Sequence, residues 1–137
     1  MADRVRKVSY FKLAVPARAG QAARVLAPLR EAGVDLLAFS GFPRRGKAQI
    51  DLVTDQGAAL RRVARREGWR LAGPKRGLLV QGDDRVGAVH RHVQRLADAR
   101  INVTAADAVA AGGGRFGLIL WVKPGDFARA ARALHAR

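Results

Sequence analysis

Along residues 8–15 apolar positions alternate with others, with Phe11, Leu13 and Val15 on one face and Lys12 on the opposite one. That period of two marks a half-buried strand. Pro16 stops it, and Ala17-Arg18-Ala19-Gly20 reads as a short loop. Ala22, Val25, Leu26 and Leu29 then recur at helical spacing, predicting an amphipathic helix that ends near Gly33. Pro28 lies inside it, removing one backbone hydrogen bond and crowding the carbonyl of Arg24, so a kink or an early end is expected there. Residues 34–42 read as a strand, Pro43-Arg44-Arg45-Gly46 as a turn, and residues 47–53 as a second strand. In the latter Ala48, Ile50 and Leu52 point in, and Lys47, Gln49 and Asp51 point out, completing a hairpin. Residues 56–68 form a second helix, with Leu60, Val63 and Ala64 inward and Arg61, Arg62, Arg65 and Arg66 in water. A short closing strand is expected at residues 69–72, and Gly73-Pro74-Lys75-Arg76-Gly77 is the best linker.

The same order then returns. Residues 78–81 read as a strand, Gly82-Asp83-Asp84 as a loop, and Val86, Val89, Val93 and Leu96 as a helical stripe. A strand at residues 101–109, a turn at 110–114, a strand at 116–122 and a final helix at 126–136 follow, the last with Phe127, Ala131 and Leu134 inward. Adding 67 to a position carries Arg18 to Arg85, Gly20 to Gly87, Leu29 to Leu96 and Val34 to Ile101. One extra residue in the Gly112-Gly113-Gly114 turn shifts the frame to 68, and Ile50 then meets Leu118 and Leu52 meets Leu120. The chain is therefore two divergent copies of one unit. The fold class is α+β: ferredoxin-like βαββαβ units in tandem, antiparallel sheets with helices on one face. The division falls at residues 1–74 and 75–137, and the second copy ends at Arg137 with no closing strand in view.

Composition narrows the function classes. At 137 residues, two such units are each small and need to lean on each other or on a partner. Hydrophobic residues at 49% with charged residues at 27% are a globular balance. No apolar run approaches the ~20 residues of a membrane span, and residues 1–7 lack a signal-peptide core, so no membrane association is expected and cytoplasm is the default compartment. Cysteine is absent, which excludes disulfides, thiol nucleophiles and Cys-type zinc sites. The formal charge of +15 admits a polyanion partner. Most basic residues are scattered, however, and only the stripe from Arg61 to Arg66 is dense.

Two motifs narrow the reading further. Asp84-Arg85-Val86-Gly87 closes a strand and opens a helix, and fifteen residues beyond Gly87 stands Asn102, within Arg100-Ile101-Asn102-Val103. This arrangement resembles the ACT-domain family, whose pattern runs Asp-Arg-Pro-Gly, an amphipathic helix, then Gly-x-Asn-Ile at the second strand. The first copy shows Ala17-Arg18-Ala19-Gly20 and, in Gly33-Val34-Asp35-Leu36, Asp35 at the Asn position. Neither copy has the family's Pro, and the first lacks its acidic loop residue. The resemblance covers residues 8–136. It implies a sensor of amino acids or related metabolites, bound where two such domains pair, between the strand-to-helix loop of one and the second strand of its neighbour. It also implies a homodimer and, with no catalytic or DNA-binding domain in this sequence, a regulated enzyme acted on in trans.

An amino acid presents a carboxylate and an ammonium. The start of the helix after Asp84 offers backbone N–H groups near Val86, Gly87 and Ala88 for the carboxylate, and Arg85 adds a fork of donors. Asn102, Asp35 and Asp84 are the acceptors for the ammonium, and Arg18 and Gly20 are the counterparts in the first copy. Each has a plainer reading. Asp84 as a helix cap, Asn102 satisfying backbone at a strand start, Gly20 and Gly87 as ordinary turn residues, and Arg18 and Arg85 left in solvent all fit the same residues. Catalysis finds no support. His90 and His92 diverge on a helix, His135 sits near a frayed end, no Ser or Thr lies in a nucleophile motif, and the glycine run lacks a phosphate-loop Lys, so no enzyme activity, metal or cofactor is expected. The alternative is a basic ferredoxin-like module binding RNA or DNA. Such modules stack bases on strand aromatics, and the outward Lys47, Gln49 and Asp51 supply none. The outward Ile119 and Trp121 are expected to form an apolar patch that makes the dimer contact.

Overall fold

The structure is a computed structural model that describes residues 3–137. Among these residues lie six strands and four α-helices: β1 (Arg4–Pro16), α1 (Gln21–Glu31), β2 (Ala38–Arg44), β3 (Lys47–Val53), α2 (Gly57–Glu67), β4 (Ala72–Asp83), α3 (Ala88–Asp98), β5 (Val103–Gly112), β6 (Arg115–Val122) and α4 (Phe127–Ala133), with a 3-10 turn at Pro124–Asp126. β1 and β4 are the longest, at 13 and 12 residues. The chain divides into two compact units, Ser9–Lys75 and residues 3–8 with Arg76–Arg137, so each long strand contributes to both.

In the first unit the strand order is β2-β3-β1-β4, the ferredoxin-like order. β1 and β3 pair antiparallel with Phe11 opposite Leu52 and Leu13 opposite Ile50. That register places their apolar alternation under α1 and α2, where Val25, Leu29, Leu60 and Val63 complete the core. Leu52 and Leu60 are fully buried, and burial of a side chain of that size stabilises by roughly 1.5–3 kcal/mol. α1 runs to Glu31 despite Pro28, which is buried in its last turn, so the helix is not shortened. Gln49 and Asp51 are buried, contrary to their outward reading. They satisfy each other, with Gln49 Nε2 donating to Asp51 Oδ1 at 2.9 Å and Arg44 Nη1 donating to Gln49 Oε1 at 3.0 Å.

The second unit has the same order, with β1 standing first in β1-β4-β6-β5. Its closing strand is the start of the chain. Val5 joins Leu78, Val80, Leu96, Leu118, Leu120, Phe127 and Leu134 in one core cluster. Arg137 N–H donates to the Val5 carbonyl at 3.1 Å, and Lys7 N–H donates to the Arg137 carbonyl at 3.1 Å. The expected linker at residues 73–77 is instead the interior of β4, because an unbroken strand there serves both units. Two further expectations are corrected. Val86 lies in the loop, fully exposed, and Ala88 and His92 take the inward positions of α3. Ile119 and Trp121 are already buried within the single chain, at 5% and 6% exposure, and are not an open patch for a second copy.

The N-terminal strand is also pinned by charge. Asp3 Oδ2 lies 2.6 Å from His92 Nε2 and against the Arg91 guanidinium, with both Asp3 and His92 side chains almost wholly buried. Burial pushes the Asp3 carboxyl up, but hydrogen bonds from Arg91 and His92 and their charges outweigh it, holding it below its ordinary 3.8.

Val5→Ala is expected to cost about 2 kcal/mol through the lost methyl groups and the space they leave. Amide exchange should accelerate more across residues 76–137 than across 9–75, and equal acceleration in both would refute the strand assignment. For Asp3 the folded form binds a proton less readily than the unfolded one. Its contribution is therefore complete above the unfolded value near 3.8 and fades as pH falls through the depressed folded value. Denaturation midpoints across that acid range should fall more shallowly for Asp3→Asn, and an unchanged acid limb would count against this ion pair.

Candidate functional site

The loops before α1 and α3 are built alike. Gly20 and Gly87 cap these helices in the left-handed region, with φ of +86° and +83°. A Cβ at either would meet nothing within 4 Å, so it is the backbone angle and not crowding that asks for glycine. Hydrogen bonds repeat at the offset of 67. Gln21 N–H donates to Arg18 O as Ala88 N–H does to Arg85 O, and Arg24 N–H to Gly20 O as Arg91 N–H does to Gly87 O. The helix ends match as well, with Val34 N–H donating to Leu29 O and Ile101 N–H to Leu96 O, each at 2.9 Å. The hairpins close on Arg44 opposite Lys47 and Gly112 opposite Arg115. The extra residue of the second copy is thus not in its tight turn. It is Ala111, bulged out of β5 between Ala110 and Gly112.

In the second unit this loop borders a cavity of about 440 Å³. Asp84, Arg85, Gly87 and Ala88 line it from the loop, Val89 and His90 from the first turn of α3, Ala108 to Ala110 from β5, and the buried Phe116 from β6. The bulged hairpin holds the loop in place, because Asp84 N–H donates to the Gly114 carbonyl at 2.8 Å. No side chain caps α3, which sets aside the capping role for Asp84. The amide of Ala88 is spent on Arg85, so the first-turn amides that remain open are those of Val89 and His90, one step later than the sequence suggested. The carboxylate of Asp84, the guanidinium of Arg85 and the imidazole of His90 are exposed at the mouth and make no ion pair or hydrogen bond among the described residues. The site therefore offers uncommitted charges of both signs beside an uncapped helix start.

The remaining candidates lie elsewhere. Val86 projects from the loop into solvent and does not line the cavity. Asn102 is exposed beyond the far end of α3, a helix of 11 residues and so roughly 16 Å long. Arg18 and Gly20 sit in the equivalent loop of the first unit, where Ala17 takes the place of Asp84. Asp35 matches Asn102 and is held by its backbone. Its N–H donates to Gln56 Oε1 at 2.7 Å and its carbonyl accepts from Thr54 Oγ1 at 2.7 Å. Sequence reasoning missed His90, Phe116 and the β5 residues of the cavity. In the sequence His90 stands out only as one of two histidines that diverge on a helix, and the β5 contribution depends on a bulge with no sequence signature beyond the glycine run.

Neither a protein-family model nor a curated protein matches the chain. Solved structures do. Protein BT0572 from Bacteroides thetaiotaomicron superposes with a TM-score of 0.78 at 12% identity, over 97% of this chain and 88% of that one. The regulatory subunit of aspartate kinase from Thermus flavus gives 0.61 at 19% identity, over 98% and 94%. E. coli aspartokinase III in complex with aspartate and ADP gives 0.55 at 14% identity, over 98% of this chain and 32% of that one. The fold is that of ACT-type regulatory domains of aspartate kinase. Within this fold the loop-to-helix joint repeats between the two units bond for bond.

Gly20→Ala and Gly87→Ala are each expected to cost about 1 kcal/mol from the left-handed backbone alone. Chemical denaturation checks this, and a neutral result at either site would show that its cap is not held in that conformation.

Proposed function

We propose that the chain is a non-catalytic regulatory protein whose second unit binds a free amino acid or closely related metabolite in the cavity beside Asp84 and Arg85. The observation that carries this reading is the pairing of uncommitted opposite charges with an open helix start around one cavity. A zwitterion matches that set. Its carboxylate meets the Arg85 fork and the amides of Val89 and His90, where the helix dipole also favours negative charge. Its ammonium meets Asp84, and its side chain lies against Phe116 and the alanines of β5. The fold shared with regulatory subunits of aspartate kinase supports a regulatory role, and the opposed charges at the cavity mouth make an amino acid the first ligand to try. Asn102, exposed and remote from its own loop, enters the site from a second copy of the chain in a homodimer, and the regulated enzyme is met in trans.

A thermal-shift screen of the twenty amino acids tests the reading. A ligand at about a hundred times its Kd adds roughly 2.7 kcal/mol, enough to raise the midpoint by several degrees. Arg85→Ala and Asp84→Asn should each weaken the hit about tenfold, the worth of a hydrogen bond to a charged group. Silence across the panel, or a hit indifferent to both substitutions, would remove the sensing function. A salt-sensitive shift with a random oligonucleotide in its place would favour nucleic-acid binding.

A further inference from the structure

The second unit has another cleft that the sensing site does not use. It measures about 360 Å³ and lies between α4, the N-terminal closing strand and β4. Lys7, Arg76, Arg132 and His135 line it, over a floor that includes Phe127 and Ala131, and no carboxylate is among its lining residues. None of those four basic side chains makes an ion pair among the described residues. The one acid at the start of α4, Asp126, is taken by Arg129 at 3.0 Å. Arg76 is held in position, its guanidinium carbon 4.3 Å from the centroid of the Phe127 ring. Arg132, in the last turn of α4, would by itself be explained by the helix dipole. Lys7 and Arg76 stand on strands, and that explanation does not reach them.

Three permanent positive charges line one cleft with no carboxylate among its lining residues, an arrangement that attracts an anion. One of these cations recurs at the equivalent place in the first unit. The first unit has a cleft of about 220 Å³ lined by Arg61, Arg65 and Trp69. Arg65 and Arg132 are equivalent at the offset of 67, and each helix ends on the same backbone bonds, Trp69 N–H to Ala64 O and Ala136 N–H to Ala131 O.

We infer that the cleft between Lys7, Arg76 and Arg132 is an anion site for a small phosphate-bearing molecule. Two guanidinium forks and an ammonium suit phosphate oxygens better than a single carboxylate. The volume takes a phosphate together with a compact organic body over the apolar floor. The site shares no lining residue with the amino-acid cavity, so it stands or falls independently of the proposed sensing function.

Isothermal titration of the full chain with inorganic pyrophosphate at low ionic strength tests the inference. Binding should be seen and should weaken with added salt. It should fall about tenfold in Arg132→Ala and again in Arg76→Gln, and stay unchanged in Arg85→Ala. Arg132 is exposed, so its substitution leaves the core intact, which circular dichroism verifies. Absence of heat, binding indifferent to Arg132 and Arg76, or binding that depends on Arg85 instead would overturn the assignment. So would a short random-sequence RNA that binds through Arg132 where pyrophosphate does not, because the cleft would then be part of a nucleic-acid track.

Discussion

A ferredoxin-like unit needs four strands to cover the apolar faces of its two helices, and only the first unit finds all four in chain order. The second begins at Arg76 and has three strands of its own. Its missing strand comes from the far end of the sequence, and the rest of the structure answers to that constraint. β1 must be long enough to open one unit and close the other, β4 likewise, and neither can be interrupted by a flexible linker. Val5 in the second core, the Arg137 backbone bonded to Val5 and Lys7, and the buried Asp3–His92 contact all hold that one strand in place.

A strand that arrives from so far along the chain carries an entropic cost of loop closure, which grows slowly with length. Burial of Val5 and the ladder bonds offset it. The ion pair at Asp3 is less obviously stabilising, because taking charges out of water can cost as much as their attraction returns. Its clearer consequence is register. A carboxylate that meets its donors at only one position fixes where the strand lies, and a one-residue slip would turn Val5 outward.

The sequence disclosed the elements whose signal is local. The alternation of residues 47–53 matches the bounds of β3, helical spacing gives the inward faces of α2 and α4, and the offset of 67 pairs the Gly20 loop with the Gly87 loop. It failed where a distant segment decides the outcome. Nothing near Gly73 says that a glycine-proline stretch lies inside a strand, and nothing at Arg4 says which unit it closes. Gln49 and Asp51 follow the polar half of an alternation yet are buried, where Gln49 donates to Asp51 and accepts from Arg44. At the candidate site the loop residues Asp84, Arg85, Gly87 and Ala88 were legible from their motif. The far wall was not, since it depends on how a bulged hairpin folds back.

The comparison of the two loops separates what the backbone needs from what a ligand would need. Both keep the left-handed glycine, the bond to the preceding arginine carbonyl and the helix-end geometry, so these belong to the way a strand turns into a packed helix. The side chains have diverged. Asp84 corresponds to Ala17, Phe116 to Ala48, and Val109, at the mouth, to Phe42. On the proposed function only the second unit presents both signs of charge to a zwitterion, whereas the first, with Arg18 and no acid, could attract at most the carboxylate end. Two equal backbones with unequal chemistry are what a duplicated fold produces when packing constrains both copies and binding constrains one.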